Sequence, residues 1–203
     1  MPQLIFGYGS LICQQSRDNT GDSGRSIPAR LKGFKRGWLV NIPSSGMTAA
    51  GVVPETGAYC NGVLFSLPPG ELQKYDAREL AGGYKRLELN GNDITVLADD
   101  TVIPAGTVWI YTALHPSKPC DNCPLVQSYV DVILNGCLAV SREFATEFIN
   151  TTTAWEGLWL NDRNDPRYVR AMPDPPTGII DALLAECLIE KYHRINPGLD
   201  TLE

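Results

Sequence analysis

Residues 4–13 read LIFGYGSLIC, which is a short apolar run, a tyrosine between two glycines, a serine and a second apolar run. The first apolar run predicts a buried strand over Leu4–Phe6. Because glycine has no Cβ, the chain can turn sharply here and present successive backbone N–H groups to an anion such as a carboxylate. The turn formed by Tyr8, Gly9, Ser10 and Leu11 is therefore a candidate binding site, and a plain tight turn after the strand is the alternative.

Two familiar uses of such a turn do not fit its sequence. A dinucleotide-binding fingerprint needs a third glycine and an immediate helix, but Ile12 occupies that position and a polar stretch follows soon after it. Ser10 lacks the GxSxG context of a nucleophilic serine, and nothing marks His115 or His193 as its base. The pattern argues against a Rossmann fold and against a serine hydrolase.

The bulk composition indicates one domain with a small-molecule ligand. The chain has 203 residues, 43% of them hydrophobic, which is enough for one sizeable core. Its formal net charge of −6 argues against a nucleic-acid partner, because phosphate binding needs clustered lysines and arginines. We expect no membrane association and a cytoplasmic location, since no apolar run approaches the length of a membrane span and no signal sequence precedes the first strand.

The six cysteines are expected to be reduced thiols, as is usual for a cytoplasmic chain of this length. Cys120 and Cys123 have the spacing of half a zinc site, but no second pair completes it. We therefore predict no metal and no cofactor, and interpret CDNC as a thiol pair in a loop beside a helix start. A zinc-dependent regulatory module built on this pair is the weaker alternative.

The order of the predicted elements favours an α+β fold. Short strands separated by turn residues fill the first half of the chain, which is typical of a sheet that curls into a small mixed β-barrel. Residues 14–24 are predicted to be a polar surface loop. The strands are predicted at Leu4–Phe6, Trp38–Ile42, Ala49–Val53, Asn61–Leu67, Tyr84–Leu89, Ile94–Ala98 and Gly106–Tyr111. Helices are predicted within 68–82, 125–139, 141–149 and 180–191.

Between the last two helices lies a segment rich in Trp, Arg, Asp and Pro. It is too aromatic for a disordered linker, because its two tryptophans and one tyrosine are able to anchor it to the body of the protein.

A carboxylate is the best candidate for a catalytic group, because the chain contains two histidines only. Asp76 and Glu79 lie at the end of the predicted helix in 68–82. The negative end of a helix dipole raises the pKa of a nearby carboxyl toward the range of a general base, and burial by aromatic neighbours acts in the same direction. The alternative is that Glu79 is a solvated charge, or that it pairs with Arg78 or Arg86 on the surface.

Taken together, the motifs resemble the γ-glutamylcyclotransferase-like family. They are YGSL after the first strand, NGVLF at residues 61–65, YDARE at residues 75–79 and the following GY. The resemblance covers about residues 4–140 and implies a small α+β barrel with flanking helices. It divides the chain into a barrel at 1–140 and a helical, Trp-rich extension at 141–203 packed on the same domain.

The resemblance also implies an activity and its residues. The YGSL turn cradles the amino-acid end of a γ-glutamyl substrate, and Glu79 transfers protons while the substrate cyclises to 5-oxoproline and releases an amine. Tyr84, Tyr111 and Tyr129 match tyrosines of the family's binding site; a core aromatic using its hydroxyl locally is the alternative for each.

The branch of the family stays open. YDARE is similar to the ChaC-type branch, whereas GFKRGWLVNIPSSGM at residues 33–47 is not, and Leu11 departs from the YGSN of the branch acting on free γ-glutamyl amino acids. The leaving group is therefore an amino acid, a dipeptide, an amine or a lysine side chain, and the sequence does not set the oligomeric state. A binding protein of the same fold without turnover is the alternative function.

Overall fold

The structure, a computed structural model, describes residues 2–98 and 101–188. Seven strands form one mixed sheet in the order β4-β6-β1-β3-β2-β5, with β8 beside β2, and β7 pairs with β9 in a second sheet. The strands are β1 Gln3–Gly7, β2 Ile27–Ile42, β3 Met47–Leu67, β4 Tyr84–Leu89, β5 Ile94–Val96, β6 Thr107–Ala113, β7 Leu125–Val126, β8 Thr152–Thr153 and β9 Trp159–Leu160. The helices are α1 Gln14–Asp18, α2 Leu72–Ala81, α3 Gln127–Leu138, α4 Arg142–Thr151 and α5 Thr177–Cys187. The predicted α+β class is confirmed.

The prediction that the sheet closes into a barrel is wrong for the described residues, because β4 and β5 stay at opposite edges. The sheet is nevertheless strongly curved. The β2–β3 hairpin has register shifts at Lys32/Phe34 and at Trp38/Val40, and bulges of this kind bend a strand. The bend brings the first half of β3 back toward β6, where a Cβ built on Gly51 would lie 3.2 Å from the Cβ of Ala113.

The curvature creates the space for a site. Strand β1 lies between β3 and β6 but ends at Gly7, whereas β6 continues to Ala113. Beyond the end of β1, the first half of β3 approaches β6 without a ladder of backbone hydrogen bonds. The gap is occupied by the YGSL turn, which follows β1 directly.

The predicted strands are present, but several of their boundaries are wrong. The segments Ala49–Val53 and Asn61–Leu67 belong to one continuous strand, β3, and Trp38–Ile42 is only the end of β2. The cause is long-range pairing, since β2 and β3 hold each other extended across polar residues that read as turns. Gly57 lies in the left-handed region at φ 84°, so the glycine that indicated a turn instead allows a local distortion inside the strand.

The predicted helices are confirmed, with one addition. Ser141 caps α4 by accepting a hydrogen bond from the N–H of Phe144 at 3.0 Å, as expected. The prediction of a loop over residues 14–24 is wrong in part, because α1 forms there around the buried side chain of Arg17. The predicted end of the last helix, at Lys191, lies outside the described residues.

The Trp-rich segment is anchored to the body, as predicted. Trp155, Trp159 and Tyr168 are buried, and the ring of Trp155 packs edge-on against Trp38 of β2 with 4.9 Å between the ring centroids. Side chains on α3, α4 and α5 share one apolar core with the sheet. The proposed division at residue 140 stays a prediction. No helix in residues 2–98 and 101–188 combines the length and the apolar character needed to cross a membrane.

Candidate active site

The YGSL turn is tightly wound at the end of β1. The N–H of Ile12 donates to the carbonyl oxygen of Gly9 at 2.9 Å, which forms a single 3-10 turn over Ser10–Ile12. Gly7 is required by close packing, since a Cβ built there would lie 2.8 Å from the Cβ of Leu11. Within the described part of the chain, the N–H groups of Gly9, Ser10 and Leu11 donate no hydrogen bond.

Two buried arginines donate hydrogen bonds to backbone carbonyl oxygens of the turn and of Ile12, which follows it. Arg17 donates from Nη1 to the carbonyl oxygens of Leu11 and Ile12 at 2.8 and 2.9 Å, and Arg36 donates to that of Tyr8 at 3.3 Å. Both side chains are almost fully inaccessible to water, and burial lowers the pKa of each guanidinium. With its carbonyl groups fixed in this way, the turn keeps its N–H groups available for a ligand.

The turn lines a small cavity of about 30 Å³. Strand β1, the first half of β3, the end of α2, β4, β6 and α3 all contribute to its wall. The lining residues are Phe6, Gly7, Tyr8, Gly9, Ser10, Leu11, Ala50, Glu79, Tyr84, Tyr111 and Tyr129. All eight residues that the sequence and the resemblance predicted for the site therefore meet in one place, although their roles in binding and catalysis stay predictions.

Glu79 is the only carboxylate among these lining residues. It lies in the last turns of α2 and its side chain is 12% exposed. Burial raises the pKa of this carboxyl, while the positive charges of Arg78 and Arg170 act in the opposite direction. The expected rise in pKa is confirmed in direction, with burial as its main cause.

The alternative for Glu79, a pair with Arg78, is also present, but it is not on the surface. Nε of Arg78 lies 3.1 Å from Oε1 of Glu79, and the arginine side chain is only 16% exposed. The same guanidinium donates to Oγ of Ser10 at 2.8 Å and to Oγ1 of Thr20 at 2.6 Å. Arg78 thus connects the candidate acid of α2 to the YGSL turn, whereas Arg86 pairs with Asp76.

The four tyrosines are buried, and all four use their hydroxyl groups within the protein. Tyr84 donates to the carbonyl oxygen of Ala50 at 2.7 Å, which joins β4 to β3 across the open end of β1. Tyr8 donates to the carbonyl oxygen of Tyr111 at 2.5 Å, and Tyr111 donates to Oδ1 of Asp76 at 2.9 Å.

The hydroxyl of Tyr129 lies beside the turn, 3.4 Å from a Cβ built on Gly9, and forms a hydrogen bond with the side chain of Ser10. Burial raises the pKa of all four tyrosines, so they stay neutral hydrogen-bonding groups at physiological pH. The local roles that were the alternative for these tyrosines therefore coexist with a place in the cavity wall.

Sequence reasoning missed several contributors to the site. Arg78 was considered only as a competitor for Glu79, although its position beside the acid in YDARE was a usable signal. Ala50 gave no signal, because only the bend of the β2–β3 hairpin brings it to the cavity. Arg170 comes from the Trp-rich segment, outside the stretch that the resemblance covers, and it lies within electrostatic range of Glu79 and Arg78.

In residues 2–98 and 101–188, no cluster of three or more His, Cys, Asp or Glu side chains is suited to hold a metal ion. Cys120 and Cys123 face each other in a hairpin but have no third ligand there.

Comparison with known proteins supports the fold. No family model and no curated protein matches the sequence. Among solved structures, a γ-glutamyl cyclotransferase is similar with a TM-score of 0.58 at 18% identity, over 73% of this chain and 86% of that one. An uncharacterized protein from Homo sapiens has a TM-score of 0.55 at 18% identity, over 71% of this chain and 85% of that one. YkqA from Bacillus subtilis has a TM-score of 0.51 at 20% identity, over 71% of this chain and 51% of that one.

The fold is therefore of the γ-glutamyl cyclotransferase type, as the resemblance implied. At these identities the likeness concerns the backbone and not the chemistry, because one fold supports many functions.

Proposed function

We propose that this protein is an enzyme that cyclises a γ-glutamyl compound to 5-oxoproline and releases an amine. The observation that carries the proposal is that the carboxyl group of Glu79 lines the same cavity as the YGSL turn. A base and a set of available N–H groups are the two elements that this reaction requires. The fold of the solved γ-glutamyl cyclotransferase supports the same reaction class.

The reaction is an intramolecular aminolysis. The α-amino nitrogen of the substrate attacks its own γ-carbonyl carbon, the new C–N bond closes a five-membered ring, and the bond to the departing amine breaks. Both reacting groups belong to one molecule, so holding the substrate in its curled shape supplies much of the acceleration. The narrow cavity between the YGSL turn, Glu79 and Tyr129 favours a compact ligand of this kind.

Glu79 takes up a proton from the substrate ammonium and then gives a proton to the leaving amine. One carboxyl group serves both steps, because the raised pKa brings its ionised and protonated forms closer in free energy. The ion pair with Arg78 limits this rise and keeps the carboxylate available as a base.

The N–H groups of Gly9, Ser10 and Leu11 supply the anion-binding part of the site. They bind the α-carboxylate of the substrate or stabilise negative charge on its carbonyl oxygen, as backbone donors do in other acyl-transfer sites. Arg17 and Arg36 act only through the carbonyl groups that they hold, so we consider them positioning residues.

The test is a panel of γ-glutamyl compounds: an amino acid, a dipeptide, a simple amine and the ε-amine of lysine as departing groups. Mass spectrometry measures 5-oxoproline. The α-glutamyl isomer of each compound is the matched control, because its γ-carboxyl group is free and carries no amine that cyclisation could release. We expect product from at least one γ-glutamyl compound and from none of the controls.

Calorimetry on the same panel distinguishes the alternative function. A γ-glutamyl compound that binds tightly and is recovered unchanged would contradict the proposed reaction and support a binding protein of this fold. Absence of both binding and product would contradict both functions.

A further inference from the structure

Cys120 and Cys123 form the closed end of a tight hairpin, Cys120–Cys123. The N–H of each cysteine donates to the carbonyl oxygen of the other, at 3.1 and 2.9 Å, so the two residues are a directly opposed antiparallel pair. In such a pair the Cα atoms are about 5.5 Å apart, which matches the Cα separation most common in disulfides. The backbone thus already has the Cα separation of a disulfide.

The two thiols differ in accessibility, and each is suited to one step of thiol exchange. Cys120 is exposed, and Nδ2 of Asn41 donates a hydrogen bond to its sulfur at 3.7 Å. Cys123 is 3% exposed, and its pKa is raised by burial and by the neighbouring Cys120. An accessible attacking thiol with a buried cysteine directly opposite it is the usual arrangement of a resolving pair.

No other described cysteine shares these properties. Cys13, Cys60 and Cys137 are buried in the core, and burial raises the pKa of Cys60 to about 11. Cys187 is partly exposed but has no cysteine opposite it in the described part of the chain. The hairpin is therefore the preferred place for thiol chemistry.

We propose that Cys120 and Cys123 are a redox-active dithiol that exchanges with low-molecular-weight disulfides. The Cys120 thiolate attacks one sulfur of the small disulfide, which forms a mixed disulfide and releases one small thiolate. The Cys123 thiol then loses its proton and attacks the sulfur of Cys120, which releases the second small thiolate. The protein dithiol is oxidised by two electrons and the small disulfide is reduced to two thiols.

The proposed redox pair is separate from the cavity of the candidate active site. Neither cysteine lines that cavity. The hairpin is attached instead to the base of β3, where Thr48 donates from its hydroxyl to the carbonyl oxygen of Cys123 at 2.5 Å and from its N–H to that of Pro124 at 2.9 Å. The proposal therefore does not depend on the proposed cyclisation.

The test uses the full chain, reduced and then incubated with bis(2-hydroxyethyl) disulfide, with intact-mass measurement and peptide mapping. The parent protein should lose the mass of two hydrogens, with the bond located between Cys120 and Cys123. Cys123→Ser should retain one half of the reagent on Cys120, and Cys120→Ser should form neither product. Cys187→Ser is the matched control and should form the same internal disulfide as the parent.

Three results would overturn the proposal: both thiols remain free in the parent, the bond maps to another cysteine, or Cys120→Ser still forms an internal disulfide. Because Cys123 is buried, Cys123→Ala is a second variant in case the serine disturbs the fold. Far-UV circular dichroism on all variants verifies that each is folded. Absence of the disulfide in a folded variant is then due to the chemistry of the thiols and not to unfolding.

Discussion

Replacing Glu79 by glutamine tests the proposed mechanism most directly, because the amide keeps the size of the side chain and removes its ability to transfer a proton. General acid–base catalysis contributes roughly 10²–10⁴-fold to a rate. We expect kcat for 5-oxoproline formation to fall by about that factor, equivalent to roughly 3–5 kcal/mol in the activation free energy. KM should change little, because the YGSL turn and its contact with Arg78 through Ser10 are unaltered.

The same variant also tests how stability depends on pH. The expected direction of this dependence follows from the raised pKa of Glu79. The pKa of the Glu79 carboxyl in the folded protein is raised above its ordinary value of 4.5, mainly by burial. Its contribution to stability is therefore fully present below the unfolded pKa and is lost as pH rises through the folded pKa. Glutamine does not titrate, so the free energy of unfolding of Glu79→Gln minus that of the parent should increase as pH rises from below 4.5 to 7.

Glu71→Gln is the matched control, since Glu71 begins the same helical region and lies outside the cavity. The hydrogen bond from Lys74 lowers the pKa of Glu71, so the corresponding difference should decrease as pH rises. Urea unfolding at several pH values measures both differences, and product formation should be unchanged in Glu71→Gln. Equal turnover in the parent and Glu79→Gln, or pH trends of the same sign in both variants, would refute the reasoning.

Three further variants test other parts of the site. Arg78→Met removes a positive charge that lowers the pKa of Glu79, so the acid limb of the pH profile of kcat/KM should move to higher pH. Tyr84→Phe leaves the buried carbonyl oxygen of Ala50 without the hydroxyl that it accepts from, and urea unfolding should show a loss of about 1–3 kcal/mol. In Gly136→Ala, the new Cβ would lie 2.6 Å from the backbone nitrogen of Cys13, which follows the YGSL turn, and overpacking of this kind should lower the free energy of unfolding by about 1–3 kcal/mol.

Two of these variants have a control with a different expectation. Arg86→Met removes a cation that pairs with Asp76, and should leave the acid limb in place. Gly178→Ala adds a Cβ in α5 with no neighbouring atom within 4 Å, so it should raise the free energy of unfolding by about 0.5–1 kcal/mol. Stability losses as large in these controls as in their partners would contradict the contacts described for the site.

The elements that local sequence determines were predicted well. Strand β4 has the predicted bounds, and α3 and α4 lie within about two residues of theirs, because their apolar spacing and capping residues act over a single turn. The polar stretch that became α1 was missed, since that helix is stabilised by the distant contacts of Arg17 and not by an apolar face of its own.

The residues of the candidate site were predicted mainly from the family resemblance, because sequence spacing alone does not show which side chains line a cavity. The sequence around Glu79 and the tyrosines does not distinguish a residue that lines a cavity from one in the ordinary core. Arg36 is the sharpest example: it is fully buried, contacts the turn at Tyr8, and stacks over Phe148 with 3.8 Å from its guanidinium carbon to the ring centroid. A surface salt bridge is the ordinary expectation for an arginine in a strand.

The sequence by itself determined the order of the predicted strands and helices, the sharp turn after β1 and the position of Glu79 beside Arg78 in α2. Only the tertiary structure decided that the β2–β3 hairpin bends back to β6, that a cavity opens where β1 stops, and that Arg78 joins Glu79 to Ser10. The physical reason is the distance along the chain over which each interaction acts. Backbone preferences and apolar periodicity act over a few residues, whereas burial, and with it the raised pKa of Glu79, depends on segments that meet only when the whole chain has packed.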